Sequence, residues 1–327
     1  MKKTVLTGLI LLLIGGMLIS CERRARDGEW APSRSVEFLL AFSPGGGSDI
    51  FVRTIVDIVT RENFSNASFS VINNTAGGGN VVRMQTANTT GPMANHTLLS
   101  FVWGDILGML ANTPVRMHNL RPLAIIAGDK HLLFIPRGSQ LTSFNDVVAA
   151  IERGERLSIG GVLGDDEIVS QLLLEEMGWT RGQLAFVRFS STGEAITAAM
   201  GHHVDLVLSK PAAPTPFVES GDLIPILAFA PERFGGPLAP APTLNELGFN
   251  NVYLLNFRSI VGPAAMTDEA AAYWVDVFRR VAETDAWRIG YLQRFMLEEI
   301  TLFGDDAAAF LAERQEGILS GSLSLPD

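Results

Sequence analysis

The chain has 327 residues, 47% of them hydrophobic and 18% charged, with a formal net charge of −10. That apolar content builds a substantial core and excludes an intrinsically disordered chain, and the length suits one large domain or two of ordinary size. The acidic balance, with no basic stripe, leaves nucleic-acid binding without an electrostatic footprint.

At the N-terminus, Lys2 and Lys3 precede an uncharged, mostly apolar stretch over residues 4–20 that ends in Leu18-Ile19-Ser20-Cys21. A short basic-then-apolar segment is a secretory signal, although its length also approaches that of a spanning helix. The Leu-Ile-Ser-Cys ending resembles the lipobox of bacterial lipoproteins, where the signal is cut before the cysteine and the thiol carries a lipid. Residues 1–20 are therefore expected to be a lipoprotein signal peptide, Cys21 the lipidation site and residues 21–34 a polar tether. The remainder is expected outside the cytoplasm, periplasmic or at the cell surface, held to a bacterial membrane through acylated Cys21. Cys21 is the only cysteine, so an intrachain disulfide and a cysteine-based metal cluster are both excluded.

Beyond the tether, short apolar runs alternate with helical patterns. Strands are expected over 36–42, 68–72 and 97–102, with helices over 50–60, 80–89 and 105–110. A second set begins near Leu132. Its strands are 132–135, 157–159, 186–189, 204–208 and 224–228; its helices are 143–153, with Ser143 as N-cap, then 166–177 and 193–200. Prolines cluster between Pro231 and Pro242, marking a long surface connection. A strand over 252–261 and helices over 268–283 and 285–297 complete the pattern. Such alternation predicts an α/β fold with parallel sheets, and a two-lobed chain predicts a cleft where small molecules bind.

Four small-residue turns follow predicted strands: Phe42-Ser43-Pro44-Gly45-Gly46-Gly47-Ser48-Asp49, Ala76-Gly77-Gly78-Gly79-Asn80, Gly160-Gly161-Val162-Leu163-Gly164-Asp165-Asp166 and Ser190-Ser191-Thr192-Gly193. In open α/β sheets ligands bind at that edge. Glycine lets a ligand approach the backbone, and the helix N-terminus that follows favours an anion. Each turn alone is also readable as a plain tight turn. None has the spacing of a dinucleotide fingerprint or a P-loop.

The segment from Phe42 to Arg53 resembles the first motif of the solute-binding receptors of tripartite tricarboxylate transporters, and Asn73 to Asn80 resembles their second. Val204-Asp205, Glu219 to Leu223, Pro242 to Gly248 and Arg258 to Pro263 match later landmarks in order. The resemblance implies a two-lobed periplasmic-binding-protein (flytrap) fold with an interdomain cleft and strand crossovers. Residues 35–130 and 250–327 would form domain 1 and 131–249 domain 2. It implies a receptor that delivers a small carboxylate-containing or zwitterionic solute to membrane permease subunits, without a cofactor. Family ligands are usually citrate, other di- and tricarboxylates, aromatic acids or amino acids, held by backbone N–H groups, hydroxyls and water. By position, Phe42, Gly46, Gly47, Ser48 and Asp49 would form the first ligand loop and Ala76, Gly78 and Gly79 the second. Gly161, Gly164 and Asp165 would face them, with Ser191, Thr192 and Asp205 nearby.

One departure stands out. Where the family has Gly-Ser followed closely by His, this chain has Gly164-Asp165-Asp166-Glu167-Ile168. Either the acids simply start a helix, whose dipole favours them, or the ligand is neutral, zwitterionic, cationic or cation-bridged on that side, which argues against citrate. Trp103 is readable as a stacking residue or as core, Asp49 as a ligand contact or a helix start, and Arg258 as an anion contact or an ion-pair partner. His96, His118, His131, His202 and His203 lack zinc-helix spacing, and Gly46 to Ile50 lacks the last glycine of a nucleophile elbow, so neither a metal site nor catalysis is expected. The rival readings are a sensor that docks to a signalling partner and, further off, a cleft hydrolase.

Overall fold

The computed structural model describes residues 30–320. The signal segment, Cys21 and the first part of the tether lie outside them. Among the described residues, no helix is long and apolar enough to cross a membrane.

Two sheets organise the chain. The first contains β1 (Val36–Leu40), β2 (Phe69–Asn73), β3 (Thr97–Val102), β4 (Leu120–Asp129), β10 (Asn256–Pro263) and β11 (Leu302–Phe303), in the order β11-β4-β10-β3-β1-β2. The second contains β5 (His131–Pro136), β6 (Leu157–Val162), β7 (Leu184–Phe189), β8 (Leu206–Ser209) and β9 (Leu223–Phe229), in the order β7-β6-β8-β5-β9. Helices α1 (Gly47–Arg61), α2 (Asn80–Asn88) and α3 (Trp103–Asn112) follow β1, β2 and β3. In the second lobe α4 (Phe144–Glu152), α5 (Asp165–Met177), α6 (Thr192–Met200) and α7 (Thr215–Glu219) follow β5, β6, β7 and β8. Helices α8 (Asp268–Glu283) and α9 (Asp305–Leu319) return to the first lobe. As expected, the Ser143 hydroxyl caps α4, accepting from the Asp146 N–H.

Apolar side chains of alternate register fill both sides of each sheet. Leu39, Leu99, Phe101 and Ile125 pack against Ile106, Met109 and Leu311 in the first lobe. In the second, Leu133, Ile159 and Leu206 meet Val147, Val169 and Leu173 on one face, and Phe134 and Val207 meet Ala195 and Ile196 on the other.

The expectation of parallel sheets is corrected. β1 runs parallel to β2 and β3, and β6 parallel to β7 and β8. However, β10 is antiparallel to β3 and β4, and β5 is antiparallel to β8 and β9. The cause is the crossover. Strand β4 passes from the first sheet into β5 of the second with only Lys130 between them, so the preceding strand, not an intervening helix, sets the direction of β5.

Strand β4 itself was not predicted, since Pro122 interrupts its apolar run and proline normally opposes a central strand. Here Pro122 lies opposite Val261, at a register shift in β10 that relieves the ladder. The strand expected from residue 252 begins at Asn256, and the helix expected over 285–297 is one turn (Asp285–Trp287) running into a π-helix (Arg288–Gln293).

Candidate ligand-binding cleft

The C-terminal ends of β1 and β3 face those of β6 and β7. Between them lies a cavity of about 520 Å³, walled by Ala41, Phe42, Leu107 and Gly108 from the first lobe and by Val162, Leu163, Ile168 and Phe189 from the second. Behind it is a chamber of about 30 Å³ that shares Phe42 and Val162 as walls.

Four helices begin at this chamber. Gly46, Gly47 and Ser48 belong to the start of α1, Val102 caps α3, Asp165 opens α5, and Ser191 and Thr192 open α6. Lys210, Asn256 and Arg258 complete its lining. The positive ends of four helix dipoles thus converge on a space with room for about two waters.

The lobes touch through glycine at this level. A Cβ on Gly164, whose φ is +119°, would lie 2.8 Å from the Gly104 Cα. One on Gly47 would lie 2.7 Å from Nη2 of Arg258, so the guanidinium rests on a bare backbone. Across the lobes, the Ser43 hydroxyl donates to Oε1 of Glu194 at 2.8 Å.

The acids of the second-lobe loop are balanced by cations that sequence spacing did not connect to them. Nζ of Lys210 lies 2.6 Å from both Oδ2 of Asp165 and Oδ1 of Asp166, and His131 Nε2 donates to Asp166 at 3.0 Å and lies 3.3 Å from Asp165. Beside them Arg258 pairs with Asp129, while its Nε has no hydrogen-bond partner among the described residues. Burial alone would raise the Asp165 carboxyl, but the charge of Lys210 and the bond from His131 outweigh it and hold its pKa below the usual range. Burial would likewise lower Lys210, yet Asp165, Asp166 and Asp129 keep its pKa above the ordinary value. For His131 burial works against the charged form, and its hydrogen bonding to the Asp165 and Asp166 carboxylates reverses it, raising the pKa above 6.5.

With His131 protonated, three cations meet three carboxylates, and an anion in the chamber is not repelled. Both readings of the acidic loop are therefore refined. The acids do begin α5, as one reading held. The unbalanced negative charge assumed by the other is removed by Lys210 and His131. Ligand atoms of His131, Asp165 and Asp166 come within 4.8 Å of one another, but the Lys210 ammonium already sits where a metal cation would.

Of the residues expected at the ligand, Phe42, Gly46, Gly47, Ser48, Asp165, Ser191 and Thr192 line the chamber, and Gly78 and Gly164 line the larger cavity. The six others line neither space. Asp49 is turned inward, accepting from Gly45 N–H, Arg53 and Asn73, and so fixes the first loop. Ala76 is exposed on the second loop, and its carbonyl accepts from the Gly79 N–H. Gly79 packs just past the end of β1, where a Cβ would meet that of Ala41 at 2.6 Å. Trp103 is core, edge-on to Phe257 at 6.0 Å. Gly161 makes room for the Phe186 ring, 2.9 Å from a built Cβ. Asp205 accepts from the Ser158 N–H and hydroxyl, both at 2.7 Å, and ties β6 to β8. Sequence reasoning missed Lys210, Asn256 and Asp129 and gave His131 no role. The available signal was charge at the end of apolar strands: Lys210 follows β8, and Asp129-Lys130-His131 interrupts the β4–β5 run.

Comparison with known proteins gives the same architecture. MatC from Rhodopseudomonas palustris, solved with malate bound, superposes with a TM-score of 0.73 at 19% identity, over 88% of this chain and 97% of its own. The periplasmic binding protein BugD gives 0.76 at 16% identity, over 88% and 95%. Another R. palustris protein, solved with adipate, gives 0.74 at 18% identity, over 89% and 96%. At these identities the likeness is one of fold, the two-lobed periplasmic-binding-protein fold. No curated protein matches the sequence. The family model described as tripartite tricarboxylate transporter family receptor matches residues 59–317. That match covers most of the chain, and the protein belongs to the tripartite tricarboxylate transporter receptor family.

Proposed function

We propose that this receptor captures a small carboxylate-containing solute between its lobes and hands it to the membrane permease subunits of a tripartite transporter. The observation that carries the reading is the convergence of four helix starts, Lys210 and Arg258 on one chamber. In this reading N–H groups of the Gly46–Ser48 turn and the hydroxyls of Ser48, Ser191 and Thr192 donate to the carboxylate. The third donor of Lys210 and the unpartnered Nε of Arg258 add charge-assisted bonds. Malate in MatC and adipate in the second R. palustris protein are both carboxylates, which supports the ligand class. Capture leaves the solute chemically unchanged, and no nucleophile–base pair is needed. The receptor acts outside the cytoplasm, held to the membrane by lipid on Cys21.

Calorimetric titration with small carboxylates, followed by mass spectrometry of the recovered ligand, tests this. One site per chain, an unaltered ligand and at least a ~10-fold loss of affinity in Ser191→Ala are expected; one lost charge-assisted bond is worth about that factor. Binding of amines but of no carboxylate, or turnover of the ligand, would sink the reading.

A further inference from the structure

We infer that the solute is a monocarboxylate with a sizeable apolar body, an inference that rests on the carboxylate reading above and narrows it. The chamber sets the head. At about 30 Å³, it admits the two oxygens of one carboxylate and little else. The rest of the solute must then occupy the cavity of about 520 Å³ beyond Phe42 and Val162, a volume typical of small-molecule sites.

The chemistry of that cavity decides what the body is. Its walls are largely apolar, with Phe42, Leu107, Leu163 and Phe189 among them. Four charged side chains reach it, and neither of the two cations is unpaired. Arg83 is buried and bonds Asp105 through Nε at 2.7 Å, while its Nη1 donates to the Gly78 carbonyl at 2.9 Å and to Asn80 at 2.8 Å. Arg188 pairs with Glu167 at 2.8 Å. The fourth, Glu194, accepts from the Ser43 hydroxyl and the Ser190 N–H, and among the described residues no cation pairs with it. A second carboxylate at the far end of a solute would lose water, find no free cation and face Glu167 and Glu194. An alkyl chain or an aromatic ring would instead gain from leaving water.

The test compares ligands matched in length. Hexanoate and adipate differ by a methyl in place of the second carboxylate. Phenylacetate and citrate contrast an apolar body with a polar one. Titration of the full-length protein is expected to give at least ~10-fold tighter binding for hexanoate and phenylacetate than for adipate and citrate. In Glu167→Gln, which frees Arg188, the preference for hexanoate over adipate is expected to shrink. Leu107→Trp, which fills the cavity, is expected to weaken phenylacetate more than acetate; should that variant fail to fold, the wild-type panel and Glu167→Gln still decide. Adipate or citrate binding as tightly as hexanoate overturns the inference and leaves the carboxylate reading standing. Failure of every carboxylate to bind overturns both.

Discussion

Lys210 neutralises two carboxylates at once, and its removal exposes how much the buried cluster depends on it. Lys210→Met leaves Asp165 and Asp166 buried with only His131, and breaking a buried pair costs about 3–5 kcal/mol; urea unfolding is expected to show a loss of that size. The partner of both acids on the other side, His131, makes the cluster pH-dependent. Its folded-state pKa lies above 6.5, so the stabilisation it supplies is complete below that pH and lost as pH rises through the raised value. The unfolding free energies of wild type and His131→Asn are therefore expected to converge as pH is raised above about 6.5. Carboxylate affinity is expected to fall over the same range, because deprotonation leaves the cluster one charge more negative. A pH-independent difference would contradict this assignment. Sequence alone exposed Asp165 and Asp166 as an anomaly. Their partners were not legible, since Lys210 and His131 arrive only through the pairing of β5 with β8.

Among the secondary elements, the turns after β3 and β6 act as facing surfaces, and glycine sets how closely they approach. Gly164 combines a φ of +119° with a built Cβ only 2.8 Å from Gly104. Gly164→Ala is expected to hold the lobes apart and to cut ligand affinity by at least ~10-fold, besides costing about 1–3 kcal/mol of backbone strain. Gly178 is the control. It ends α5 at φ +65° with nothing within 4 Å of a built Cβ, so Gly178→Ala is expected to lower stability by a similar amount and leave affinity unchanged. Calorimetry and thermal unfolding of the two variants separate these effects, and equal losses of affinity would contradict the role given to Gly164. At this scale the sequence was most readable where period and punctuation agreed: β3 was expected over the same residues, 97–102, and α4 was found with its Ser143 cap. It was least readable where tertiary structure overrides a local rule, as in β4 with Pro122 inside it, or where a helix changes hand-hold midway, as at the π-helix over Arg288–Gln293.

For the molecule as a whole, a two-lobed chain joined at Lys130 by a direct strand crossover supports hinge motion, in which a few residues absorb the backbone change while each core stays packed. Asp129 and His131 flank that hinge, one paired with Arg258 of the first lobe and the other with the acids of the second. The ion-pair partners of the chamber's charged residues thus flank the crossover, and solute capture and lobe closure are expected to be coupled. The glycine turns made the location of the cleft legible from sequence. The buried ion pairs that tune it were not, because charge compensation is a property of the assembled lobes. A crystal structure of the protein with hexanoate bound tests the account most directly. The account predicts the carboxylate in the chamber, within hydrogen-bond distance of Ser48, Ser191 and Thr192, with the alkyl chain running past Phe42 and Val162. An ordered carboxylate outside the chamber, with solvent between those three residues, would contradict it.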